Sequence, residues 1–299
     1  MPDNQPPVSP LIPAAFSAGQ PTGAFALDGH SVLALDGPDA IAFAQAQFAN
    51  DVPALPAGHW QWNAWLTPKG RVIAVFALLR TGADALRLLL PDYDAEELAT
   101  ALRRFVFRRK LVIAARPDLH AAGTFTAAAT ARGASFVDGR DAIELDYGAP
   151  GLPRTLRLSP TPARTDPDAE QAWAAADLRL GLPRLPAAQR EQWTPQQLAL
   201  DRLAAFSVKK GCYPGQEIVA RTHFLGRAKR ETLLLRVPEA VAAGEEVFQA
   251  GSALGSVVAA AGAGPRLALA VLPLDRADAP LQVAGAEVAV EPFVEGFAR

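Results

Sequence analysis

Between residues 31 and 115 the apolar positions switch between a period of two and a period near three and a half, which predicts strands interleaved with helices. Ser31 to Leu35 reads as a first strand. Gly37-Pro38-Asp39 opens a helix, with Pro at the first helical position, an early Asp against the dipole, and Ile41, Ala44 and Phe48 as the buried stripe. Asn50-Asp51 ends it. His59 to Trp65 alternates as a strand, Thr67-Pro68-Lys69-Gly70 turns the chain, and Arg71 to Leu79 and Leu86 to Leu90 return as strands. Asp94 with Glu97 forms a capping box for a helix whose stripe is Leu98, Leu102 and Phe105, and Val106 to Ala114 is strand-like. This order predicts an α+β unit of split βαβ type.

Residues 120–165 predict a second small α+β unit, with Ala142 to Tyr147 and Thr155 to Ser159 as its clearest strands. A helix or turn follows at Ala169 to Leu180, and 181–193 is irregular. Thr194-Pro195-Gln196-Gln197 is a further capping box, predicting a short helical stretch to about Leu203. From Thr232 the pattern becomes short strands broken by glycine: 233–237, 246–248, 255–260, 267–271 and 287–290. Such a run predicts a small all-β barrel or sandwich. The expected division is a flexible tail over 1–22, which holds six prolines, then units at 23–118, 119–231 and 232–299.

Composition narrows the function. The chain of 299 residues has a formal net charge of −2, which argues against wrapping nucleic acid as its main business while permitting a local basic patch. Its one cysteine cannot form an internal disulfide or supply the ligands of a zinc or iron–sulfur site by itself. A reducing compartment follows, and with no apolar run of spanning length the expectation is a cytoplasmic protein without a membrane span.

That cysteine, Cys212, lies in Ser207-Val-Lys-Lys-Gly-Cys-Tyr-Pro-Gly-Gln-Glu217. Gly211 is expected to turn the backbone before the thiol, and Pro214-Gly215 marks a second turn. Gln216 to about His223 has helical spacing, with Ile218 and Val219 on one side. Cys212 would then precede a helix N-terminus, with Lys209, Lys210 and Arg221 adding positive charge. Such surroundings lower a thiol's pKa. The competing reading, a small buried hydrophobe, suits a lone cysteine in general; neighbouring glycines and cations favour the functional one.

Lys210-Gly-Cys-Tyr-Pro-Gly-Gln-Glu217 resembles the signature of the YgfZ family of folate-binding proteins, related to the aminomethyltransferase of the glycine cleavage system. Leu35-Asp-Gly-Pro-Asp-Ala, Asn50-Asp51-Val52 and Thr67-Pro-Lys-Gly-Arg71 look like the family's first domain. Gly181-Leu-Pro183, Ala220-Arg221 and Gly226-Arg-Ala-Lys-Arg230 extend the likeness, which runs from about residue 25 to the end. The resemblance implies an α+β fold of three domains in a cloverleaf, two α+β domains and a C-terminal small β-barrel. It implies tetrahydrofolate or a derivative as ligand, and iron–sulfur client proteins and tRNA-modifying enzymes as partners. Cys212 becomes the essential reactive or ligand group. Lys210, Tyr213, Gly215, Gln216, Glu217, Arg221, Arg227, Asp51 and Trp62 become the folate-binding set. No metal-binding residue is implied.

Two departures bear on the alternative, a folate-dependent aminomethyl- or methyl-transferase. Where such enzymes have an acidic pair after the glycine turn, this chain has Arg71-Val-Ile-Ala-Val75, so a carboxylate for one-carbon transfer is missing after Gly70. The position of their pterin-binding glutamate falls on Arg179. Trp60, Trp62 and Trp65 could stack a pterin or fill a core. Arg103, Arg104, Arg108, Arg109 and Lys110 could meet a polyglutamate tail or RNA phosphates, or be a solvated face. A third reading makes the chain an RNA- or protein-binding module using that cluster, with Cys212 idle. His30, His59, His120 and His223 show no metal-ligand spacing.

Overall fold

A computed structural model of the chain describes residues 23–226, 228–262 and 266–299. The proline-rich segment 1–22 and Arg227 lie outside the described residues. In chain order, β1 (Phe25–Ala26), β2 (Ser31–Asp36), α1 (Ala40–Gln47), β3 (Trp60–Leu66), β4 (Val72–Arg80), β5 (Ala85–Leu90), α2 (Ala95–Arg103) and β6 (Val112–Ala115) come first. β7 (His120–Thr124), β8 (Val137–Asp138), β9 (Ile143–Asp146), β10 (Thr155–Ser159), α3 (Pro167–Arg179) and α4 (Gln216–Phe224) follow. The chain ends with β11 (Arg230–Val237), β12 (Glu246–Gln249), β13 (Ser252–Ala261), β14 (Arg266–Pro273), β15 (Leu281–Val283) and β16 (Ala286–Glu291).

The first sheet has the order β3-β4-β5-β2-β6. β2 pairs antiparallel with both β5 and β6, so β5–α2–β6 is a split βαβ unit with β2 inserted, as the pattern predicts. Both faces are covered. Leu33, Leu35, Phe76, Leu78 and Leu88 pack under Phe43 of α1 and Leu98 and Leu102 of α2. Val32, Trp60, Trp62, Val75, Ala77 and Leu89 join the central core on the other side. Period-two alternation therefore divides the tryptophan trio: Trp60 and Trp62 go to one face and Trp65 to the other.

The second sheet, β1-β7-β10-β9-β8, packs on α3. Asp166 caps α3 by accepting from the Ala169 amide at 3.1 Å, with Pro167 at the first position. Between sheet and helix lies a buried ion pair. Arg154 and Asp177 are both fully buried, joined at 2.8 Å, and Asp177 also takes Arg184 at 3.1 Å. The Arg154 guanidinium stands 4.3 Å above the Trp173 ring. The third sheet is a closed barrel of order β11-β14-β13-β12-β15-β16. The final segment then leaves the barrel, and Phe297 packs on Trp62 and Tyr147 in the central core.

Several expectations are corrected. Phe43, not Ile41, fills the α1 stripe. Phe105 lies past the end of α2 and is partly exposed, and only 112–114 of the expected strand 106–114 falls in a strand, β6. The Thr194 box forms both of its hydrogen bonds, Gln197 N to Thr194 Oγ1 and Thr194 N to Gln197 Oε1. No helix follows, because Ala199 takes φ 51° and Ala204 φ 53°, which turn the chain. β15 is a strand too short for the pattern to reveal.

Replacing Asp177 with Ala strands the Arg154 charge in the core, an effect expected to cost about 3–5 kcal/mol. Denaturant unfolding of Asp177→Ala checks it; a loss below about 1 kcal/mol would contradict the reading.

Candidate functional site

The cysteine loop is built from its two ends. On the entering side, the Ser207 amide donates to Ala49 O at 2.9 Å. Asn50 secures the same seam: its Nδ2 donates to Trp62 O at 2.9 Å and to Ala204 O at 2.7 Å, while its own amide donates to Asn63 Oδ1. Lys210 then turns inward. Its Nζ donates to Gln45 O at 2.7 Å, Phe48 O at 2.5 Å and Asn50 O at 2.9 Å. These carbonyls belong to the last turn of α1 and the residues just beyond, where a helix leaves acceptors unpaired and favours a cation. Burial pushes the Lys210 pKa from 10.5 down to about 8, while the Asp51 carboxylate pulls it upward.

On the leaving side, Gly215 sits in the left-handed region at φ 81° and precedes α4. A Cβ there would lie 2.6 Å from both Gly70 Cα and Thr67 O. The Thr67–Arg71 turn of the first sheet thus meets the cysteine loop backbone to backbone, a contact only glycine permits. Ile218 caps the turn from α4, since a Cβ on Gly70 would lie 2.9 Å from Ile218 Cβ. Val219 is buried and its carbonyl accepts from Gln196 Nε2 at 2.9 Å. Between the two anchors Cys212 is exposed.

The side chains of the loop alternate in direction. Tyr213 is buried, with its hydroxyl 3.4 Å from Ser207 O and its ring 4.9 Å beneath the Lys210 ammonium. Burial pushes its pKa up to about 12. Gln216 Nε2 donates back to Lys210 O at 3.1 Å. Glu217 and Arg221 are exposed on α4. Asp51 Oδ1 accepts from Gln45 Nε2 at 3.1 Å. Three expectations are corrected here. Trp62 is fully buried and its Nε1 donates to Phe297 O at 2.9 Å, so it has no face free for a pterin. Lys210 has all three ammonium protons on backbone carbonyls and none left for a ligand. Gly211 is not a hinge either: its φ is outside the left-handed range and a Cβ would meet open space.

Tested against a folate, the nominated set does not fit as a cradle. Lys210, Gln216 and Asp51 are committed to holding the loop, Trp62 is core, and Cys212, Glu217 and Arg221 face outward. Gly70 to Val75 offers no carboxylate, and Val72, Ala74 and Val75 are buried in β4. Arg179 pairs with Glu291 of the barrel at 3.2 Å. Among the described residues no three His, Cys, Asp or Glu gather closely enough to hold a metal ion. Asn50, Asn63 and the carbonyls of Gln45 and Phe48 are the residues the sequence reading missed. The Asn50-Asp51 and Thr67–Gly70 motifs were visible, but nothing in them pointed to the cysteine loop.

The whole arrangement has a precedent in shape. The glycine cleavage system aminomethyltransferase T from Bartonella henselae superposes with a TM-score of 0.71 over 92% of this chain and 86% of that one, at 15% identity. In sequence, a tRNA-modifying protein YgfZ from Shigella boydii is 30% identical over 259 residues, 78% of this chain and 79% of the relative. The chain belongs to the YgfZ family. A YgfZ from Yersinia pseudotuberculosis is 29% identical over 260 residues, 79% of this chain and 78% of that protein. An uncharacterised protein of Haemophilus influenzae is 28% identical over 214 residues, 71% and 72% of the two chains. No protein-family model matches. No helix among the described residues is long and apolar enough to cross a membrane.

The YgfZ-like octapeptide is thus an anchored turn in which Lys210 and Gly215 do the anchoring. Gly215→Ala is expected to cost more than about 2 kcal/mol, from the left-handed φ and the clash with Gly70, while Gly211→Ala stays within about 0.5 kcal/mol. Denaturant unfolding of both variants checks this, and equal effects would refute it. Titration of Lys210, followed by NMR of its side chain, is expected to centre near 8. Because the folded value lies below the unfolded 10.5, the unfolded state binds more protons between the two, so stability rises as pH climbs from about 8 to about 10.5 and that gain is lost as pH falls back through about 8. A midpoint at the ordinary lysine value would contradict the burial.

Proposed function

We propose that this chain is an accessory factor for iron–sulfur enzymes that modify tRNA, and that Cys212 is the group it offers to them. The observation that carries the reading is an exposed thiol at the crest of a loop whose neighbours on both sides are fixed. A sulfur presented in this way is a soft ligand and a nucleophile within reach of another protein. One thiol cannot hold a cluster alone. It can supply one ligand to a cluster shared with a client, or, as the thiolate, attack a disulfide already present in the client and release one of its sulfurs as the leaving thiolate, giving a mixed disulfide. The name borne by the Shigella and Yersinia relatives supports the tRNA side of the reading, and the family resemblance supports the iron–sulfur side. The first sheet lacks a carboxylate at Arg71–Val75, which speaks against the aminomethyltransferase alternative.

Tetrahydrofolate or a derivative is proposed as a ligand on the strength of family and fold. No step of the thiol reading passes through it. Titration with tetrahydrofolate, read by tryptophan fluorescence, is expected to saturate; a flat response removes folate and leaves the thiol reading standing.

A cell lacking the gene, complemented with Cys212→Ser and assayed for methylthiolated tRNA, is expected to show little restoration while the parent chain restores it. Full restoration by Cys212→Ser overturns the proposal.

A further inference from the structure

Arg103-Arg-Phe-Val-Phe-Arg-Arg-Lys110 leaves the end of α2 as tight turns, with Phe105 N on Leu102 O at 2.9 Å and Arg109 N on Val106 O at 3.0 Å. At its tip Phe107 takes φ 48°, a left-handed conformation that a bulky side chain rarely adopts. Its ring is 87% exposed. The hydrophobic effect favours covering such a ring, and a strained backbone that holds it outward is a feature of contact surfaces.

The ring stands among cations. Arg104, Arg108, Arg109 and Lys110 are all exposed. Among the described residues, no carboxylate lies within ion-pair distance of any of the four. Arg103, by contrast, is bound to Glu96 at 2.7 Å. A chain of net charge −2 therefore concentrates four unpaired positive charges into seven consecutive residues. The stem beneath is fixed. Phe105 meets Trp65 edge to face at 6.5 Å, Arg109 lies 6.0 Å over the Phe43 ring, and the Lys110 amide donates to Asp39 Oδ2 at 2.6 Å.

A flat aromatic face surrounded by unpaired arginines matches single-stranded RNA. Guanidinium forks take phosphate oxygens in pairs, and an unpaired base stacks on a ring whatever its sequence. An anionic membrane calls instead for several free apolar anchors and a lysine-rich rim; here Phe107 is the most exposed ring, Phe105 is held against Trp65, Val112 belongs to β6, and arginine outnumbers lysine three to one among the four. We propose that residues 104–110 bind a single-stranded segment of RNA, with Phe107 stacking an unpaired base and Arg104, Arg108, Arg109 and Lys110 on the phosphates. The inference rests on the reading of a factor serving tRNA-modifying enzymes and names the surface that would touch the RNA. Geometry links the two: Phe43, under Arg109, belongs to α1, the same helix whose end holds Lys210. That helix is about 12 Å long.

The test is anisotropy of a fluorescein-labelled single-stranded RNA oligonucleotide with the full chain, across a range of salt. Phe107→Ala is expected to weaken binding about tenfold, and its ring is too exposed for the change to disturb folding. Arg108→Ala with Arg109→Ala is expected to flatten the salt slope by about 1.4. A duplex of the same length, which hides its base faces, is expected to bind without regard to Phe107. Three results would overturn the proposal: no RNA binding at low salt, single-strand binding equal in Phe107→Ala and parent, or Phe107-dependent sedimentation with phosphatidylserine vesicles while RNA binding is unchanged. The two readings fail separately. Phe107-dependent RNA binding with full complementation by Cys212→Ser leaves this surface standing and removes the thiol reading. Absent RNA binding with failed complementation does the opposite.

Discussion

A lysine ammonium held by three backbone carbonyls joins the cysteine loop to the rest of the molecule. Each partner lacks something without the other. The end of α1 leaves carbonyls in need of donors, and Lys210 is buried with no carboxylate within ion-pair distance among the described residues. Brought together, they satisfy one another, and the helix's negative end lowers the cost of keeping the charge dry. The grip reaches across about 160 positions of sequence, so the loop is fixed to the first sheet rather than to its own neighbours.

Gly215 makes the second attachment, where two backbones approach too closely for any side chain. With both ends fixed, the loop has one direction left for Cys212, which is outward. The surrounding architecture supports this arrangement. The barrel is tied to the turns before the loop through Thr232 Oγ1, which donates to Gln197 O at 2.6 Å. The last segment packs Phe297 against both Trp62 and Tyr147. All three sheets are thereby referred to one core, and an exposed thiol is carried on a scaffold with little freedom to withdraw it.

The sequence made much of the fold legible because its signals are local. Alternation in β3, β4 and the barrel, the Asp94 cap and the glycine breaks of the last third all operate within a few residues. Failures occurred where a local signal met a distant constraint. The Thr194 box closed as its residues dictate, but positive φ at Ala199 ended the turn. The strand expected at 106–114 lost its first half to the arginine-rich tip, whose outward Phe107 no periodicity foretells. At the site, the exposure of Cys212 followed from its glycine and cation neighbours. The role of Lys210 did not, because its acceptors are carbonyls, which every residue has and no motif marks. Trp62 misled for a related reason: an aromatic on an alternating strand looks the same whether its covering layer is a ligand or another sheet.

The Lys210 grip holds the presentation of Cys212, and hydrogen–deuterium exchange over residues 207–219 in the parent chain and in Lys210→Met measures it. The grip predicts protected amides through this segment in the parent. In Lys210→Met it predicts exchange at least tenfold faster there, with the barrel strands unchanged. Equal protection in the two proteins would mean that the loop is held by something else, and the presentation of Cys212 would need a different physical cause.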